Sequence, residues 1–121
     1  MKGEIKEIEV DGRKFELIKK GISESLVIQA MFIRLLIKSG SMNPDMDDDK
    51  LEWALAAGLD TSTVIEVKNI IMSCVHAPKI TEDGYEDLGI KAIPALFLKI
   101  YLFNVGDSEK KSDEQQDSEK S

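Results

Sequence analysis

Between Leu26 and Ile37 only Gln29 and Arg34 interrupt an apolar run, and between Ala95 and Phe103 only Lys99 does. Neither run approaches the roughly 20 residues a bilayer span needs, so neither is a membrane helix. Neither alternates as a half-exposed strand would. Each reads as a helix that is apolar on nearly every face, and such a helix is buried or covered by a partner. With 121 residues the chain has the length of one domain. Aromatic residues are only 6%, so the core must be largely aliphatic. The fold class expected is mainly α (α+β): a small helical domain over 1–106, an N-terminal β-hairpin at about 4–19, and a disordered acidic tail over 107–121.

The hairpin rests on Asp11-Gly12. Both central positions of a tight two-residue turn need positive φ, and Asp-Gly accepts it. Ile5, Ile8 and Val10 precede the turn and Phe15, Leu17 and Ile18 follow it. A lone hairpin is marginal in water, so its apolar face needs a cover.

Four helices are expected. The first runs from about Ser23, which can cap it, to Lys38, with Gly40 as terminator. After a loop over 39–47, a second spans about Asp48 to Ala57, its N-terminus carrying Asp47, Asp48 and Asp49, where the helix dipole favours negative charge. A third spans about Thr61 to Val75, capped by Asp60 or Thr61. Its apolar positions Val64, Val67, Ile71 and Val75 trace one face, which Ile70 and Cys74 widen. Residues 76–92 read as a connector. The last helix begins near Pro94, a residue suited to a first helical position, and ends near Asn104. The tail beyond has no apolar residue to bury against its ordering entropy.

The net charge of −7 disfavours a phosphate backbone as partner, and no basic cluster interleaved with aromatics offsets it. One cysteine excludes an internal disulfide and a cysteine-rich zinc site. The N-terminus lacks the apolar run of a signal peptide. Cys74 and His76 are a poor nucleophile–base pair, because residues two apart do not face each other on a helix. Asp45, Asp47, Asp48 and Asp49 lack the central glycine of a calcium loop and read as a solvated approach to a capped helix. No phosphate-binding glycine loop, nucleophile elbow or paired-histidine zinc motif is present. The expectation is a non-enzymatic protein with no cofactor, no metal, no nucleic-acid partner and no membrane span.

The informative excess is apolar. The first and last helices offer more apolar faces than one small core easily absorbs. Ordinarily they would form that core as neighbours, with the hairpin and third helix around them. The alternative, compatible with it, is a face left open for self-association or for another protein's apolar segment. Trp53 is a further candidate anchor.

The order of features resembles the small tail assembly chaperones of long-tailed bacteriophages. The matching segments are the hairpin Val10-Asp11-Gly12-Arg13-Lys14-Phe15-Glu16-Leu17, the helix running through Ile71-Met72-Ser73-Cys74-Val75-His76-Ala77-Pro78, the acidic stretch Thr81 to Leu88, and Ile93-Pro94-Ala95-Leu96-Phe97-Leu98-Lys99-Ile100-Tyr101 before a polar tail. The resemblance covers roughly residues 5–106. It implies a protein of the host bacterial cytoplasm that binds the long apolar tape measure protein. That client is held soluble while tail tube protein polymerises around it, and the chaperone is absent from the finished virion. The resemblance also implies a frameshifted longer form, reached near Lys110-Lys111, that recruits the tube protein. On this reading the last helix carries the partner contact, through Leu96, Phe97, Ile100, Tyr101 and Phe103. The competing class is a small acidic, antitoxin-like regulator that masks a basic partner.

Overall fold

A computed structural model of the chain describes residues 2–41, 43 and 46–106. The expected tail and part of the loop before the second helix, including Asp45, lie outside the described residues. The fold is mainly helical with a small antiparallel sheet at the N-terminus. Strands β1 (Ile5–Val10) and β2 (Arg13–Ile18) form the hairpin. Helices α1 (Ile22–Ser39), α2 (Asp48–Gly58) and α3 (Val64–Cys74) follow. Then come β3 (Val75–Ala77), the short α4 (Glu82–Glu86) and α5 (Ala92–Tyr101), which continues into a π-helical turn over Leu102–Gly106.

The hairpin turn is as its residues require. Asp11 and Gly12 take φ of 52° and 76°, and Val10 pairs with Arg13 across them. Pairing Ile8 with Phe15 and Lys6 with Leu17 puts the alternate set Ile8, Val10, Phe15 and Leu17 on one face. Phe15 and Leu17 are buried there. Strand β3 pairs antiparallel with β2, through a bulge at Glu16/Leu17, and gives the order β1-β2-β3. The chain over 76–92 was expected to be a plain connector. It starts instead inside this strand, because Val75 buries its side chain beside Leu17 and draws the backbone out of the helix. For the same reason α3 stops at Cys74.

The helix ends correct other expectations. The N-cap of α1 is Gly21, without a side-chain bond, and not Ser23. Gly40 terminates α1 in the left-handed region at φ 78°, donating its N–H to the Ile37 and Leu36 carbonyls, as its position suggested. Asp47 caps α2 by accepting the Lys50 N–H at 2.9 Å. Helix α3 begins at Val64, not Thr61, because residues 60–63 close a tight turn of their own. There the Thr63 hydroxyl accepts the Asp60 N–H at 2.9 Å and donates to the Gly58 carbonyl at 3.2 Å. Helix α5 starts at Ala92, one turn's edge before Pro94.

The core is aliphatic around a few aromatics. Leu17, Ile71, Leu96 and Ile100 are fully enclosed, and Phe97 is 1% exposed. Helix α2 packs on both α1 and α5, so the two apolar helices share a neighbour more than they share each other. Where α1 and α5 do meet, Phe32 and Tyr101 stack at 3.7 Å between centroids and 7° between planes. Asn104 locks the end of α5 to the sheet. Its side-chain carbonyl accepts the Lys20 N–H at 2.8 Å, while its amide donates to the Ile100 carbonyl at 3.0 Å. Both groups would otherwise be orphaned in a buried corner.

One buried polar atom has no such arrangement. The Tyr85 hydroxyl, on α4, is enclosed without a hydrogen-bond partner among the described residues. Burial, then the nearby Glu86 charge, pushes its pKa up. An unsatisfied buried hydroxyl costs about 1–3 kcal/mol. Tyr85→Phe is therefore expected to raise stability by about 1 kcal/mol in urea unfolding, and a loss of that size would mean the hydroxyl has a partner.

Candidate functional site

Four of the five residues assigned to partner contact on the last helix are interior. Leu96, Phe97, Ile100 and Phe103 are each 3% exposed or less, and Tyr101 is half-buried in its stack on Phe32. In the folded chain they cannot face a partner. The physical reason is neighbours: α5 is covered by α2, by α3 and by β1, which satisfies nearly all of its apolar faces internally.

Among the described residues, half of the large exposed apolar side chains lie on α1 instead. Ile28, Met31, Phe32, Leu35 and Leu36 turn into the core, whereas Ile22, Leu26, Val27, Ile33 and Ile37 are exposed. Helix α3 adds Val64 and Ile65, both exposed. Trp53 on α2 is 79% exposed and stands apart from the buried Leu51 and Leu55.

Helices α1 and α3 run antiparallel, α3 being seated by its buried Val67, Ile71 and Cys74, and at one end two exposed ion pairs bridge them. Arg34 donates to Glu66 at 3.2 Å, and Lys38 pairs with Asp60 at 3.0 Å. The Asp60 carboxyl is held well below the usual carboxylate range by hydrogen bonds from the Ser62 hydroxyl, from Lys38 and from the Ser62 N–H. At the other end the two helices part. A mostly apolar groove of about 210 Å³ opens there between Val27 and Ile28 of α1 and Ile70 and Cys74 of α3, with Glu24, Asn69 and Ser73 at its margin. Its size suits an apolar side chain of a partner, the usual anchor of a protein contact.

The groove is not a thiol site. Cys74 is 2% exposed, and burial pushes its pKa up to about 11 from 9.0, with Glu24 adding slightly and Lys20 opposing. A shift of that size lowers the thiolate fraction at neutral pH about a hundredfold. A thiol-specific disulfide reagent at pH 7.5 should therefore label the native chain at least about a hundredfold more slowly than the urea-unfolded chain. Equal rates would show that the thiol is open. The linkage runs the same way. The buried neutral thiol stabilises the fold below pH 9.0, and this contribution is lost as pH rises towards about 11. His76 lies beyond the helix in β3 with its side chain exposed, so the two do not form a dyad.

The acidic approach to α2 has the bland geometry expected of it. Asp47 is a cap, and Asp48 and Asp49 are exposed in the first turn. Among the described residues no group of three or more His, Cys, Asp or Glu side chains is placed to hold a metal ion, and no helix is long and apolar enough to cross a membrane.

The groove is only half legible in the sequence. Ile70 and Cys74 were visible as a widening of the α3 stripe, and Val27 as part of an over-apolar helix. Nothing in the order of residues indicates that α3 lies beside α1, with Arg34 and Glu66 bridging them at the surface. Compared with family models, curated proteins and solved structures, the chain matches none, so its functional reading rests on its own surface.

Proposed function

We propose that this chain is a tail assembly chaperone of the kind made by long-tailed phages, acting in the bacterial cytoplasm. It binds the apolar helical tape measure protein and keeps it soluble while tail tube protein polymerises around it. The observation that carries this reading is the apolar α1–α3 groove, with exposed Val27 at its edge, on a chain of net charge −7. A holdase needs that combination: apolar anchor points for the client and a like-charged exterior that keeps the loaded complex dispersed. A long client recruits many copies, so each contact can be weak and the array still holds through avidity. The groove takes an aliphatic side chain of the client between Val27 and Ile70. The layout shared with the tail chaperones, from hairpin to polar tail, supports the identity of the client.

The test is co-expression with the tape measure protein encoded by the same genome. Wild type is expected to raise the soluble fraction of the client and to co-purify with it. Val27→Asp combined with Ile70→Asp is expected to lose at least about tenfold of the captured client, since each charge occupies an apolar anchor site. A client that stays insoluble with wild type, or is captured equally by the folded double variant, overturns the proposal.

A further inference from the structure

The groove uses one side of α1 and leaves another apolar face unexplained. At 100° per residue, Ile22, Leu26, Ile33 and Ile37 fall within about 60° of one another. They are 79%, 57%, 43% and 59% exposed, and they lie opposite the side chains that α1 buries. This face carries no charged side chain. Arg34 and Lys38, on its nearer flank, are drawn off towards α3 by Glu66 and Asp60. Isolated exposed aliphatics are ordinary, but four in register on one helix face are not.

Their spacing is symmetric. Ile22 and Ile37 are equidistant from the Gln29–Ala30 junction, and so are Leu26 and Ile33. A face with that symmetry is complementary to itself when a second copy lies antiparallel across a two-fold axis at the junction. Ile22 then meets Ile37 of the copy, and Leu26 meets Ile33, the four being 4, 7 and 4 residues apart. Ala30, which is exposed and has no side chain beyond Cβ, lets the helices approach closely where they cross. Gln29 sits at the axis, where its amide can pair with that of the copy and fix the register, as a single polar seam residue does. Antiparallel helix dipoles favour the same orientation.

We propose that two copies of this chain pair through this face of α1, antiparallel about the Gln29–Ala30 junction. The four aliphatics and the residues between them expose on the order of 500 Å² per copy. The pair therefore buries at most about 1,000 Å², the lower limit of a specific interface. The dimer is accordingly weak and concentration-dependent. The proposal is independent of the client reading, because the groove side chains Val27 and Ile70 face away from the seam.

Sedimentation equilibrium of the full chain between about 5 and 200 μM tests it, a range bracketing micromolar association. The mass is expected to rise from 13.5 kDa towards twice that value. Ala30→Glu, a change at an exposed position, is expected to keep the wild-type circular dichroism and remain at monomer mass throughout. Ala30→Cys, beside the axis, is expected to form a disulfide-linked dimer under mild oxidation, at least about tenfold faster than Ile65→Cys on α3. A wild-type mass fixed at the monomer value overturns the proposal. So does a dimer that survives Ala30→Glu, or equal cross-linking at positions 30 and 65. Adsorption of the monomer to anionic vesicles through this face, in place of pairing, overturns it as well.

Discussion

Gly58→Ala should cost the folded chain about 3 kcal/mol, seen as a fall of roughly 10–20 °C in the unfolding midpoint. Gly58 ends α2 against the backbone of α1. A Cβ there would overlap the Leu35 carbonyl oxygen and would lie 2.8 Å from both the Leu35 carbonyl carbon and Cα. These are backbone atoms in the middle of a packed helix, so nothing flexible can yield and the two helices must separate. Alanine's better helix propensity returns about 1 kcal/mol at most. The clash wins, since it opens the contact on which Leu35, Leu55 and Leu51 all rely. Gly58 is the last residue of α2, and its burial and that close approach make it a spacer between the two helices. An unchanged or higher midpoint would show that α1 and α2 do not meet here.

Phe97→Ala should cost about 3–5 kcal/mol, the usual range for deleting a fully enclosed phenylalanine. Phe97 is among the largest wholly buried side chains, with Leu96, Leu98 and Ile100 enclosed beside it on the same helix. Denaturant unfolding reads the loss directly. By contrast, Val27→Asp, at a half-exposed position on α1, should move stability by no more than about 0.5 kcal/mol. The contrast decides how binding experiments are read. Loss of a partner on changing Phe97 or Tyr101 to aspartate reports a collapsed fold, whereas loss on changing Val27 reports a surface. A Phe97→Ala chain as stable as wild type would return α5 to the list of exposed elements.

The local elements were legible because their signals are local. Asp11-Gly12 dictates its own turn and Gly40 its own helix end. The apolar runs at 26–37 and 95–103 were correctly placed in helices. Which run remained open was not legible, because it depends on neighbours distant in sequence. Helix α5 is enclosed by α2, α3 and β1, while α1 has cover on one face alone. Strand β3 escaped notice for a related reason. Val75 continues the α3 periodicity, and only the edge of β2 beside Leu17 draws it into a sheet. The candidate site depends on α3 burying Val67, Ile71 and Cys74 beside α1, and which neighbour a helix face meets leaves no pattern along the chain.

The proposed docking of a client segment in the groove between α1 and α3 is open to a direct measurement. Photo-cross-linking tests it most directly, with a benzophenone amino acid placed at Val27, or at Trp53 as an exposed control, in chains co-expressed with the tape measure protein. A cross-linked adduct with that client is expected from position 27, and little or none from position 53. Adducts from position 53 alone, or from neither position while the client still co-purifies, would contradict it.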